Sequence, residues 1–373
     1  MNPVTIAAAD QIIAIDFDGS VSPEAARIVA ETFSHLEFSG DPKHRIVASM
    51  SAEAMVPSGG AFARGTTTPK LIRSIADALD GLIMAAFVPD TARGRVDELP
   101  QRVALNATAL NTPEGAVVIF GGHSRQRAIT AMRGTASLIG GDVSVIDRND
   151  RNVSGVAGVI NIGGATNDTA RWVSPDAAGV TVHGGPSQVR AFVFLSEAVG
   201  EEAGWFPVST PEAVAMASGS VPSSSVVTRP LLGLAGIFEM APAAVVIRYR
   251  EESQIPTLID EVLTAPGDKH QVQAADVRAV EVGTTPLLGD VRRAAMRDAI
   301  TDGRHMAFCT SQYSVIAVGG IAPMLWDFAE GWISVDALST RLIEAIGEPD
   351  GDAREHVAAA VEALVIQGVL VRV

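Results

Sequence analysis

Residues 117–131 read VVIFGGHSRQRAITA: an apolar strand pattern, a glycine pair, and then the polar start of a helix. A strand that ends in Gly-Gly and turns at once into a helix belongs in an α/β layer, because the helix must fold back over the sheet it leaves. The same setting holds phosphates when the loop is GxxxxGK[ST]. Backbone N–H groups then cradle the anion, the lysine reaches its outer oxygens and the hydroxyl holds Mg²⁺. Here the count fails in both registers. From Gly122 the second glycine falls on Arg127, the lysine on Ala128 and the hydroxyl on Ile129; from Gly121 they fall on Gln126, Arg127 and Ala128. A planar guanidinium does not replace a compact ammonium threaded under a tight loop. Taken alone, the stretch is either a vestigial phosphate loop (Gly121, Gly122, Ser124, Arg127, Thr130) or an ordinary strand-to-helix turn.

The chain has 373 residues, enough for two or three domains, with 47% hydrophobic and only 5% aromatic residues. Ala, Val and Gly dominate, as expected of helices packed on a Val/Ile-rich parallel sheet. Lys and Arg number 28 against 43 Asp and Glu, a net charge of −15, which argues against nucleic acid and anionic membranes as partners. Cys309 is the single cysteine, so no intrachain disulfide forms and a reducing cytoplasm is expected. No signal peptide or membrane span is legible, and the seven His lack metal-ligand spacing, so neither a metal nor another cofactor is expected.

Strand and helix patterns alternate along most of the chain: strand 12–17, helix 24–36, strand 45–49, helix 69–79, strand 81–88, strand 116–120, helix 126–138, strand 143–146, strand 191–195, helices 210–217 and 231–240, and strand 244–248. From about residue 284 the texture changes to short strands, 291–298 and 305–318, then helices 320–329, 334–347 and 352–367 and a last strand 369–373. The acidic stretch 348–352 is expected as a solvated inter-helix loop. This ordering gives three parts: an N-terminal α/β subdomain 1–100, a sheet domain 101–283 and a small C-terminal module 284–373.

In this order the segments resemble known families. Residues 105–131 are similar to the HPr kinase and PEP-carboxykinase-like P-loop proteins, in which an LHAAxV segment leads to a hairpin and a VxLxGPSGSGKTT loop; Asn106 stands where that family has its His. Residues 170–179 (ARWVSPDAAG) and 228–251 (TRPLLGLAGIFEMAPAAVVIRYRE) resemble the actinobacterial branch, and the likeness covers roughly 12–263. That family's acidic pair after the loop helix falls here on Val145 and Ile146, with Asp147 one step late. With lysine, hydroxyl and acids all gone, the resemblance implies a kinase-like fold without phosphoryl transfer. Residues 292–373 resemble PqqD, small winged-helix proteins that hold precursor peptides, through GGIAPMLW at 319–326 and GWISVDAL at 331–338. Peptides dock there by strand addition, which carried over marks Gln312, Tyr313, Ser314, Val315, Ile316 and Val318. The alternative is that these strands are covered by the larger domain.

Other motifs weigh less. Residues 13–20 (IAIDFDGS) look like the DxDG[TS] loop of HAD-type phosphatases, with Asp16 as nucleophile and Asp18 as acid/base; Ser49 or Ser51 and Lys70 would complete it, but no downstream acidic pair is evident. His123 reads as a polar turn residue; Arg125, Arg127 and Arg133 as a solvated helix face; Trp326 and Trp332 as core; Cys309 as an inert buried thiol. The expected fold is thus α/β, an HPr-kinase-like sheet domain plus a small PqqD-like winged-helix domain. The expected function is non-catalytic binding or scaffolding of a peptide or protein partner. The alternatives are an active kinase, a HAD-like phosphatase using Asp16 and Asp18, and a homo-oligomeric assembly subunit. A DNA-binding winged helix is disfavoured, because its putative second and third helices carry only Arg341 and Arg354 as basic residues among several acids.

Overall fold

The computed structural model describes residues 3–8, 11–51, 61–88, 98–122, 124–162, 170–265, 272–277, 286–347 and 352–373. They form a mixed α/β protein in two compact units. One comprises Met1–Pro207, Ser220–Val226 and Met240–Asp268, the other Val208–Gly219, Val227–Glu239 and Lys269–Val373. Among the described residues no helix is long and apolar enough to cross a membrane, and no group of three or more His, Cys, Asp or Glu is placed to hold a metal ion.

The first unit contains a four-stranded sheet in the order Val4–Ala8, Gln11–Phe17, His44–Ser49, Ala61–Arg64. The last three strands are parallel and the first is antiparallel. Helix Pro23–Thr32 starts cleanly because Ser22 Oγ accepts the Ala25 N–H at 3.1 Å and Pro23 has no N–H to leave unpaired. Helix Thr68–Ala86 buries Leu71, Ile75, Leu79 and Ile83, a 3.6-residue repeat, against the same core. This corrects the expected strand at 81–88. Gly81 faces open space, so it is tolerated, and the apolar run beyond it continues the buried helical stripe.

The larger sheet has nine strands among the described residues. At its centre Gly115–Phe120 runs parallel to Ser187–Glu197, which runs parallel to Ala243–Tyr249; Thr108–Thr112 lies antiparallel on the other side. Val117, Ile119, Ala191, Val193 and Leu195 share one hydrophobic core. Phe120 and Phe194 stack with ring centroids 5.0 Å apart. Burial on both faces explains why Gly115–Phe120 and residues 191–195 read as unbroken apolar runs. The helix expected at 126–138 is shorter, Ser124–Ala131, and the chain returns as strand Ser137–Gly140 through a turn in which Gly134 has φ 83°.

In the second unit an antiparallel sheet runs Gln273–Ala274, Asp298–Thr301, Met306–Cys309, Val315–Val318. The expected single run 305–318 is therefore two strands joined by a turn, in which Tyr313 has φ 67°. Helices Thr210–Ala217 and Pro230–Phe238 pack on this sheet. Asp298 Oδ2 accepts the Leu231 N–H at 2.9 Å, capping the second helix from a distant strand. Helices Ala322–Phe328, Val335–Ile346 and Ala353–Ile366 enclose a core around Trp326 and Phe308, with ring centroids 4.4 Å apart. Cys309 is buried. The stretch 348–351 lies outside the described residues.

Candidate functional site

The turn after Gly115–Phe120 is short. Gly121 (φ 135°) and Gly122 (φ 49°) follow the strand, and the helix begins at Ser124. A Cβ on Gly121 would lie 2.3 Å from the Leu195 carbonyl oxygen of the adjacent strand, so only glycine fits. Ser124, Arg127 and Thr130 are thus helical residues. The Ser124 and Arg125 N–H groups donate to the carbonyls of Gly121 (2.9 Å) and Gly122 (3.3 Å). Two donors that a phosphate loop would aim at its ligand are spent inside the turn. His123 lies outside the described residues.

Arginines surround the turn, each matched by carboxylates. Arg127 pairs with Glu197 and lies 3.5 Å from Glu252, and its Nη1 approaches the Tyr249 hydroxyl at 3.4 Å. The Tyr249 hydroxyl also meets Ser124 Oγ at 3.3 Å. Arg125, mostly buried, donates to Asn106 Oδ1 at 2.7 Å and to the Asp142 carbonyl at 3.1 Å, with the Asp142 carboxylate at 3.6 Å. Asp142 also pairs with Arg73 at 3.1 Å, and Arg73 with Asp77 at 2.6 Å. Burial, reinforced by Asp142, pushes the Asp80 carboxyl well above the usual carboxylate range, and burial likewise raises Asp77. Burial also lowers the Arg125 guanidinium, against the pull of Asp142 and Asp80. Thr130 Oγ1 donates to the Gln126 carbonyl at 3.1 Å and stays on the exposed side of the helix.

The structure brings Ser124, Arg125, Arg127 and Asn106 together, and it leaves Asp147 elsewhere. Asp147 is opposite Asn152, which pairs with Gln188 at the start of strand Ser187–Glu197, whereas Phe120, before Gly121, pairs with Phe194 near that strand's other end. Asp147 instead accepts from the Asn149 backbone at 3.0 Å and from Gln101 at 3.3 Å. Val145 and Ile146 are buried. Arg73, Asp80, Asp142, Glu197 and Glu252 escaped the sequence reading. For Arg73, Asp77 and Asp80 a signal existed, since spacing of four and three places them on one face of a helix.

Asp16 sits within its strand and pairs with Arg45 at 2.9 Å. Asp18 accepts from the Ser20 N–H at 2.8 Å and from its hydroxyl. Its slight burial acts to raise its carboxyl, but hydrogen bonds from Ser20 and neighbouring groups outweigh that and lower it, which suits an ionised turn residue better than a proton donor. Ser49 Oγ lies 3.2 Å from Ser20 Oγ, and the Ser51 N–H donates to it at 3.1 Å. In the second unit Val315, Ile316 and Val318 lie on the strand that is outermost in its sheet among the described residues, paired there with Met306–Cys309. Gln312, Tyr313 and Ser314 form the preceding turn, where the Arg297 guanidinium lies 4.0 Å from the Tyr313 ring.

No family model and no curated protein sequence matches this chain. Among solved structures it is similar to the HPr(Ser) kinase/phosphatase from Coxiella burnetii, at 15% identity and a TM-score of 0.26, over 42% of this chain and 88% of that one.

Proposed function

We propose that this chain is a non-catalytic binding or scaffold protein, carrying a kinase-like α/β domain without phosphoryl-transfer chemistry and a PqqD-like module that recognises a peptide or protein partner. The observation that carries this reading is the occupied state of the degenerate loop. Arg127 is neutralised by Glu197 and Glu252, Arg125 is held by Asn106 and Asp142, and two turn N–H groups are spent internally. Phosphoryl transfer depends on positive charge and free donors around the phosphates, and here the chain's own carboxylates take that place. Among the described residues Val315–Val318 is the last strand of its sheet, which supports the peptide half of the reading, because strand addition needs an unpaired backbone edge.

Calorimetry with ATP and Mg²⁺ tests the first half and is expected to give no binding heat. Tight Mg²⁺-dependent binding with phosphate transfer lost in Arg127→Ala would overturn it. For the second half, affinity capture from the native host is compared between the natural chain and Ile316→Pro. The substitution disturbs the strand edge and is expected to abolish capture of the partner, while equal capture would move recognition away from that edge.

A further inference from the structure

The first unit holds a cavity of about 440 Å³ between helix Pro23–Thr32, the first turn of helix Thr68–Ala86 and the strand Trp172–Val173. It plays no part in the function proposed above. Ile28, Ile72 and Trp172 give it apolar and aromatic walls, and Glu31 and Arg171 bring charge to its lining. The two charges are not equivalent. Glu31 is already paired with Arg27 one helical turn away. No carboxylate among the described residues pairs with the Arg171 guanidinium, and the Arg171 backbone N–H is fixed by Asn161 Oδ1 at 3.1 Å. An unmatched cation beside an apolar cavity, in a chain of net charge −15, selects for an anion with an apolar body.

The aromatic wall is held in advance of any ligand. The Arg73 guanidinium lies 4.9 Å from the Trp172 ring centroid, and Arg73 is itself fixed by Asp77 at 2.6 Å and Asp142 at 3.1 Å. A ring held this way loses little freedom when something packs on it, which lowers the cost of binding. Thr32 also lines the cavity and is buried, and its hydroxyl proton is spent on the Ile28 carbonyl at 2.7 Å. The positive charge for an anion therefore comes from Arg171.

We propose that this cavity binds a small carboxylate with an aromatic or branched apolar body, the body against Ile28, Ile72 and Trp172 and the carboxylate on Arg171. The test uses the full chain labelled with 5-fluorotryptophan. Trp172 is one of four tryptophans and is assigned by its loss in Trp172→Phe. The ligands are N-acetylphenylalanine and 4-methylpentanoate, each beside its neutral amide. The expected result is a saturable shift of the Trp172 resonance with at least one acid. Its amide should bind about tenfold more weakly or worse, and Arg171→Gln should lose about tenfold in affinity for the acid. The other three resonances report that Arg171→Gln stays folded. The proposal is overturned if neither acid saturates the shift by ~10 mM, if amide and acid bind equally, or if Arg171→Gln binds as the natural chain does.

Discussion

Arg127 stands one turn into the helix that follows Gly121 and Gly122, with Glu197 from the neighbouring strand and Glu252 from a short 3₁₀ turn on its guanidinium. All three side chains are two-fifths to one-half exposed, and ion pairs of that kind contribute about 0–1 kcal/mol each. Their consequence is occupancy more than stability, because an incoming anion must displace two carboxylates. Glu197→Gln combined with Glu252→Gln keeps shape while removing that competition. The double variant is expected to bind inorganic phosphate with a Kd of roughly 1–10 mM, read by ³¹P line shifts, where the natural chain gives no saturation. A variant that still ignores phosphate would mean that the spent N–H groups, not the carboxylates, close the site. At this scale the motif register made Arg127 and Ser124 legible. Glu197 and Glu252 were not, because nothing local marks a carboxylate that meets its partner only after the sheet has formed.

Helix Thr68–Ala86 carries the second lesson, that one face can hold core and another can hold charge. Its apolar stripe was legible up to Leu79 and lost at Gly81, where a glycine followed by an apolar run imitates a new strand. Only the fold reveals that Asp80 on its other side is faced by Asp142, Asp77, Arg73 and Arg125. The raised Asp80 carboxyl has a direct consequence for stability. In the unfolded chain this carboxyl returns to about 3.9, so the folded state holds the proton more tightly. Its contribution is therefore full below pH ~4 and is lost as pH rises from there through the raised folded value. Asp80→Asn keeps the neutral shape at every pH. Urea denaturation is expected to show the variant's midpoint falling less steeply than the natural chain's above pH ~4, and lying above it at pH ~8. Parallel curves would mean that Asp80 titrates normally in the folded chain.

The two units exchange segments along the sequence, and this is the feature the sequence hid best. Helices Thr210–Ala217 and Pro230–Phe238 fall within the stretch 101–283, expected from the sequence as one sheet domain, yet they pack on the sheet formed by Asp298–Thr301, Met306–Cys309 and Val315–Val318. A hint was present in Pro230–Phe238 (PLLGLAGIF), which is apolar on every side, a pattern that favours burial; the helix buries Leu231, Leu234, Ile237 and Phe238 and leaves Leu232 exposed. Asp298 and Arg297 fasten this segment: Asp298 accepts the Leu231 N–H, while Arg297 donates to the Thr228 carbonyl at 3.2 Å and to that of Val227 at 3.1 Å. Replacing Asp298 by Ala removes the cap and is expected to cost about 1–2 kcal/mol in urea denaturation. Ending the chain at residue 283 has a larger effect. Leu231, Leu234, Ile237 and Phe238 are buried, and at about 1.5–3 kcal/mol for each large side chain uncovered, the truncated chain forfeits roughly 6–12 kcal/mol. That is comparable to the whole stability of an ordinary domain. The truncated chain is therefore expected to bind a hydrophobic dye and to be cleaved by protease within 208–239, while the full chain resists both. If residues 1–283 alone kept both helices protected from hydrogen exchange, those helices would belong to the first unit and the carboxy-terminal module would be a separable appendage.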